Sequence, residues 1–308
     1  MIIRKTYQIP YLTHTLFPKT LTALNQDKYY RMDVFFDDGW DTDLPRSTVL
    51  HFSGADLNEP YTPEGNMVKR WIKAGFIFCT IYYYQKAFRD LSWQKYTTDA
   101  HYVAPPFTQA PYWTEGFGLH TDYYHQLTAR AYMIQASLEY SVDKLSQVTD
   151  FNINTKQIYF TAKSRGGISC IIWSALSSCK EWYKYQKYCQ GIVNSNGFVG
   201  SSLTPKQTLG WFRFKNTVNI MTHYLSQTQH RFYHVYNEQD IGDFNLAARL
   251  IRVIPYSALH RHAFINFTDI AHVTYTNFNI AAVKAMQQGK TCIFKGQAVK
   301  NLAELYAI

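Results

Sequence analysis

Short apolar runs alternate with longer amphipathic ones along most of the chain. Ser47-Thr48-Val49-Leu50-His51-Phe52 is the first clear run. Phe76–Tyr82, Gln157–Thr161, Gly191–Val193, Arg231–Tyr236 and Ala263–Phe267 follow it. Several are apolar at consecutive positions, which is the pattern of a strand buried on both faces. Between them lie helical stretches. One starts at Thr62-Pro63-Glu64, with Thr62 as cap and Pro63 in the first helical position, and stops at Gly75. Others are predicted over about 124–146, 168–176 and 279–288. Residues 1–45 read as polar-aromatic and irregular, apart from a possible early strand at Met32–Phe36 closed by Asp37-Asp38-Gly39. Strands alternating with helices predict an α/β fold: a mostly parallel central sheet with helices on both faces and its site at the carboxyl ends of the strands. The whole chain, 1–308, reads as one domain. Two stretches break the rhythm, 85–122 and 195–217, and are expected to be loop insertions over the site, forming a lid.

Composition narrows the partners. The net charge is +9 and the pI near 9.1, which favours anionic partners. No run of Lys and Arg marks a nucleic-acid tail, so nucleic acid is not expected. The five cysteines include no CxxC spacing, which argues against a zinc site or a disulfide framework. Cys79 and Cys170 sit in apolar runs and read as buried small hydrophobes. Asp37, Asp38, Asp41 and Asp43 lack the spacing and terminal Glu of a calcium loop, so no metal site is expected there. The first residues carry no apolar leader, and no stretch is apolar over the roughly 18 residues that span a bilayer. A soluble, cytoplasmic protein is the expectation. Nothing in the pattern predicts an oligomeric state.

The chemistry concentrates at Ile158-Tyr159-Phe160-Thr161-Ala162-Lys163-Ser164-Arg165-Gly166-Gly167. A strand runs straight into a helix through a serine flanked by small residues two positions before and after it. A sharp turn there would push the serine side chain out of the strand end, with the positive end of the helix behind it. The plainer alternative is an ordinary strand-to-helix turn with Ser164 as a helix cap. The segment resembles the nucleophile elbow of the α/β-hydrolase family, G-x-S-x-G, with Ala162 standing where that pattern has its first glycine.

The resemblance implies further parts in a fixed order. An acid follows the strand at 231–236, where Asp240 matches best and Asp243 is the alternative. A histidine follows the strand at 263–267, where His272 stands. The implied roles are Ser164 as nucleophile, His272 as general base and then acid, and the aspartate as the group that orients it. The implied oxyanion hole takes the backbone N–H of Arg165, and that of Ala55 in Ser53-Gly54-Ala55 after the strand at 47–52. His51 reads as a residue inside that strand and not as a catalytic one. Aromatics in the insertions, Trp93, Trp113 and Trp211, are candidate substrate contacts. Lys163, Arg165 and Lys206 fall near the same rim.

Acyl-ester chemistry without a cofactor is therefore expected. The first reading is an esterase or deacetylase acting on a small-molecule or carbohydrate ester, with the positive net charge favouring an anionic one. The second is an O-acetyltransferase, moving acetyl from acetyl-CoA as cosubstrate to a sugar or polysaccharide hydroxyl. The third is a non-catalytic binding module on the same fold.

Overall fold

The computed structural model describes residues 1–10, 29–53, 61–82, 120–176, 184–197, 217–237, 250, 252–255, 258, 261–267, 276–289 and 297–298. They build a nine-stranded sheet in the order β1-β2-β4-β3-β5-β6-β7-β8-β9. The strands are β1 (Ile2–Pro10), β2 (Tyr29–Asp37), β3 (Arg46–Phe52), β4 (Ile77–Tyr82), β5 (Ile153–Lys163), β6 (Cys189–Ser195), β7 (Phe232–Asn237), β8 (His262–Phe267) and β9 (Gln297–Ala298). Pairing is antiparallel for β1 with β2 and β2 with β4, and parallel everywhere else. The helices are α1 (Asn66–Lys73), α2 (His120–Asp143), α3 (Arg165–Ala175), α4 (Thr217–Gln227) and α5 (Thr276–Gln287).

Strands β3, β5, β6, β7 and β8 are buried on both faces, and their alternate residues feed two cores. Leu50, Phe52, Phe160, Ile192 and Phe264 face the layer holding α2, α3 and α4, where Trp173 and Ile171 meet them. Val49, Tyr159, Val193, Val235 and Ile265 face α1 and α5, where Trp71, Val68, Phe278 and Val283 pack. Full burial of side chains of this size stabilises by about 1.5–3 kcal/mol each before the entropy cost is counted.

The end of α1 shows how tightly the chain is aimed. Gly75 takes φ +91, a conformation that favours glycine. Its N–H bonds Ile72 O at 2.9 Å, and Phe76 N–H reaches back to Trp71 O at 3.2 Å. The Phe76 ring then meets the Trp71 ring edge-on at 5.3 Å, the apolar contact that accompanies this helix stop.

Four sequence expectations change. Residues 2–10 are not irregular: they form edge strand β1, paired with β2 over its whole length. The helix expected from Thr62 begins at Asn66 instead, with Gly65 as its cap residue. Thr62-Pro63-Glu64-Gly65 closes a turn, with Gly65 N–H bonded to Thr62 O at 3.0 Å, so Pro63 sits in that turn and not in the helix. The strand at 262–267 is not the last, because β9 adds beside it. The two expected insertions also lose their ends to regular structure. His120 opens α2, Ser195 closes β6 and Thr217 opens α4, while most of both stretches lies outside the described residues.

The acidic run near β2 is turn chemistry. Asp37 accepts Gly39 N–H at 3.0 Å and Asp41 accepts Asp43 N–H at 2.9 Å. Cys79, Cys170 and Cys189 are buried free thiols. Among the described residues no helix is long and apolar enough to cross a membrane.

Candidate active site

Strand β5 ends at Lys163 and α3 begins at Arg165, so a single residue makes the turn between them. That residue is Ser164, with φ 54 and ψ −124. A non-glycine residue in such backbone costs roughly 1–3 kcal/mol and persists only where its surroundings over-determine it. Here they do. Ser164 N–H bonds Ser195 O at 3.0 Å, at the end of β6, and Ser164 O accepts Gly167 N–H at 2.9 Å. The helix start is pressed onto neighbouring backbone: a Cβ built on Gly166 would stand 2.3 Å from Phe52 O and 2.8 Å from Ser53 O. Only glycine fits that position. The ends of β3, β5 and β6 therefore meet at one point, and Ser164 stands on it.

The plainer reading, Ser164 as an ordinary cap, fails on its own geometry. The hydroxyl makes no capping hydrogen bond, and the backbone is strained where a cap residue would be extended. Arg165 occupies the first helical position, whose N–H has no acceptor within the helix. A nascent oxyanion at Ser164 would meet that N–H and the positive end of α3. Ala162, in the place of the pattern's first glycine, is buried in the α3-side core, so a methyl is accommodated there.

No protein-family model matches the sequence, and no curated protein is significantly similar to it. Solved structures are similar in shape. A fungal esterase from Rhizomucor miehei superposes with a TM-score of 0.55 at 10% identity, covering 94% of this chain and 84% of that one. A dienelactone hydrolase from Anabaena variabilis gives 0.50 at 10%, covering 93% and 95%. A 2,6-dihydroxy-pseudo-oxynicotine hydrolase gives 0.51 at 12%, covering 94% and 69%. The strand order and the serine elbow after β5 fit the same architecture. The chain has the α/β-hydrolase fold.

Of the residues singled out in the sequence as candidate nucleophile and oxyanion donors, Ser164 and Arg165 are among the described residues. The other candidates are fixed only by where the strands end. β7 ends at Asn237, three positions before Asp240 and six before Asp243. β8 ends at Phe267, five before His272, and β3 ends at Phe52, three before Ala55. Because β3, β5, β6, β7 and β8 are parallel, all these segments leave the sheet at the end where Ser164 stands. Asp240, Asp243, His272, Ala55, Trp93, Trp113, Trp211 and Lys206 themselves lie outside the described residues.

His51 is inside β3, as its place in the apolar run predicts. Its Nδ1 meets Thr161 Oγ1 at 3.0 Å and its Nε2 meets Tyr61 OH at 3.0 Å. Burial, with Lys163 nearby, pulls its pKa down to about 3, so the ring is neutral. Sequence reading missed a second polar element. Asn194, His234 and His262 are buried on adjacent strands and bonded in series, Asn194 Nδ2 to His234 Nδ1 at 3.1 Å and His234 Nε2 to His262 Nδ1 at 2.9 Å. Its signal was available: polar residues at inward positions of apolar strands.

Proposed function

We propose that the protein is a serine esterase that cleaves an acyl ester through an acyl-enzyme at Ser164. The observation that carries this is the strained backbone of Ser164 together with a hydroxyl that caps nothing. Strained backbone held in place by its neighbours, around a side chain that does not cap the helix, points to a functional role. In this reading His272 takes the hydroxyl proton as Ser164 attacks the ester carbonyl. Asp240 holds the imidazole, and the N–H groups of Arg165 and Ala55 receive the oxyanion. His272 then protonates the leaving alcohol, and water releases the acid. A carbohydrate O-acetyl ester is the substrate we favour. Trp93, Trp113 and Trp211 would supply flat apolar faces of the kind that stack on sugar rings. The net charge of +9 supports a second reading, acetyl transfer from the anionic acetyl-CoA to a sugar hydroxyl.

Both readings pass through the same covalent intermediate, so that intermediate is the test. The protein is mixed with p-nitrophenyl acetate, or with acetyl-CoA plus a sugar acceptor, quenched in acid and weighed intact. An acetyl adduct on the Ser164 peptide, with release of p-nitrophenol, supports the esterase. An adduct formed only from acetyl-CoA, with acetylated sugar, supports the transferase. No adduct and no turnover with either donor overturns both.

A further inference from the structure

We infer that Asn194, braced by His234 and His262, is a positioning residue that holds the Ser164 elbow in its reactive arrangement. This rests on Ser164 being the nucleophile. The hydrogen-bonded series is anchored at a backbone carbonyl and runs inward from it. Leu225 O can only accept a hydrogen bond, and His262 Nε2 lies 3.0 Å from it, so Nε2 carries the proton. Thr228 Oγ1, also 3.0 Å from Nε2, donates its own proton to the same carbonyl at 2.8 Å and leaves this assignment intact. His262 Nδ1 is then a lone pair, so His234 Nε2 must be the donor across their 2.9 Å contact. His234 Nδ1 is in turn a lone pair and accepts from Asn194 Nδ2 at 3.1 Å. One backbone carbonyl thus fixes two tautomers and, through them, which way the Asn194 amide faces. Parallel rings add to the fixing: His234 stacks on Phe232 at 5.1 Å and on Phe264 at 4.8 Å.

With the amide nitrogen held by His234, the amide oxygen points at the elbow. Asn194 Oδ1 lies 1.8 Å from where a Cβ would stand on Gly167, and the same distance from where one would stand on Gly197. Two glycines, one in the first turn of α3 and one just past β6, leave a notch that this oxygen fills. Gly167 is the residue whose N–H closes the turn onto Ser164 O, and Ser195, next to Asn194, supplies the carbonyl that holds Ser164 N–H. The Asn194 side chain and the adjoining backbone therefore grip the strained residue from both sides. Oδ1 itself has no hydrogen-bond donor among the described residues, so a brace is what keeps the amide in this orientation.

The test uses three variants: Asn194→Ala, which empties the notch; His234→Phe, which keeps the stacked ring but cuts the chain of hydrogen bonds; and the double variant. Ester hydrolysis is measured per Ser164 titrated with a fluorophosphonate, so that any unfolded fraction drops out. Displacement of a reacting group by about an ångström costs on the order of 100-fold. The expected result is a kcat lowered ~10- to 100-fold in each single variant, KM within about twofold, and a double variant no slower than Asn194→Ala alone. Unchanged kcat in the single variants overturns the inference. So does a double variant in which the two losses multiply, or variants that lose the fold outright instead of the rate. Absence of Ser164 labelling in the unaltered protein overturns the esterase reading, and this inference with it. Normal labelling with unaffected variants overturns the inference alone.

Discussion

The two ends of helix α3 each present a serine, and they are opposites. At the amino end, Ser164 sits in strained backbone with a hydroxyl that caps nothing. At the carboxyl end, Ser174 is unstrained and fully buried, and it touches a histidine: its Oγ is 2.7 Å from His230 Nδ1. On contacts alone Ser174–His230 would pass for a catalytic pair. Its surroundings say otherwise. His230 Nε2 lies 2.9 Å from Gln186 O, a carbonyl, so Nε2 donates there and Nδ1 accepts the Ser174 proton. Ser174 Oγ also accepts backbone N–H groups from Gln229 and His230, at 3.2 and 3.4 Å. Burial lowers the His230 pKa to about 4, and the ring is stacked on Trp173 at 4.8 Å. Ser174 Oγ and both His230 ring nitrogens are committed to holding α3 against the segments before β6 and β7. A serine–histidine contact is thus weak evidence of a site, whereas backbone strain at a serine whose hydroxyl does not cap its helix is stronger evidence.

The largest expected difference between the two ends is in rate. Ser164→Ala should lower ester turnover by roughly a million-fold, while Ser174→Ala leaves turnover per folded molecule within about threefold. Steady-state assays of both, corrected for folded fraction, check this. Comparable losses would break the comparison.

Acid should act on the opposite class, the committed histidines. The pKa values of His230 and His51 fall from an ordinary 6.5 to about 4 and about 3, in each case chiefly through burial, and that of His234 falls well below 6.5. The unfolded chain takes up these protons first, so their contribution is complete above about pH 6.5 and is lost as the pH falls toward 4 and 3. Stability from urea titration should drop by a few kcal/mol between about pH 6.5 and 4. A flat profile over that range would mean that these rings are not buried and neutral.

Two smaller effects sharpen the contrast. Ser174→Ala strands the His230 lone pair and the Gln229 N–H, and should destabilise by about 1–3 kcal/mol. Ser164→Gly removes a side chain from backbone that glycine tolerates, and should stabilise by about 1 kcal/mol while abolishing turnover. Thermal melting of both variants reads the opposite signs. Equal signs would remove the claim that strain is stored at one end only.

Much of this was legible in the chain. The central strands are buried on both faces, so their residues appear as continuous apolar runs. The elbow was visible because its sterics demand small residues around Ser164. Edge strand β1 was not visible: Arg4, Thr6 and Gln8 are exposed on an antiparallel flank, which leaves no apolar run to notice. The start of α1 misled because Pro63 fits a turn as well as a first helical position. The Asn194–His234–His262 series joins residues 40 and 28 positions apart, and only the parallel register, with Asn194 opposite His234, brings the first two together. A sequence read one element at a time does not contain that pairing.

The central claim, that Ser164 is an activated nucleophile and Ser174 is not, is tested most directly by reacting the folded protein with a fluorophosphonate and mapping the modified peptide. One adduct is expected, on the Ser164 peptide, absent in Ser164→Ala and undiminished in Ser174→Ala. An adduct on Ser174, or none on a protein that is demonstrably folded, would contradict it.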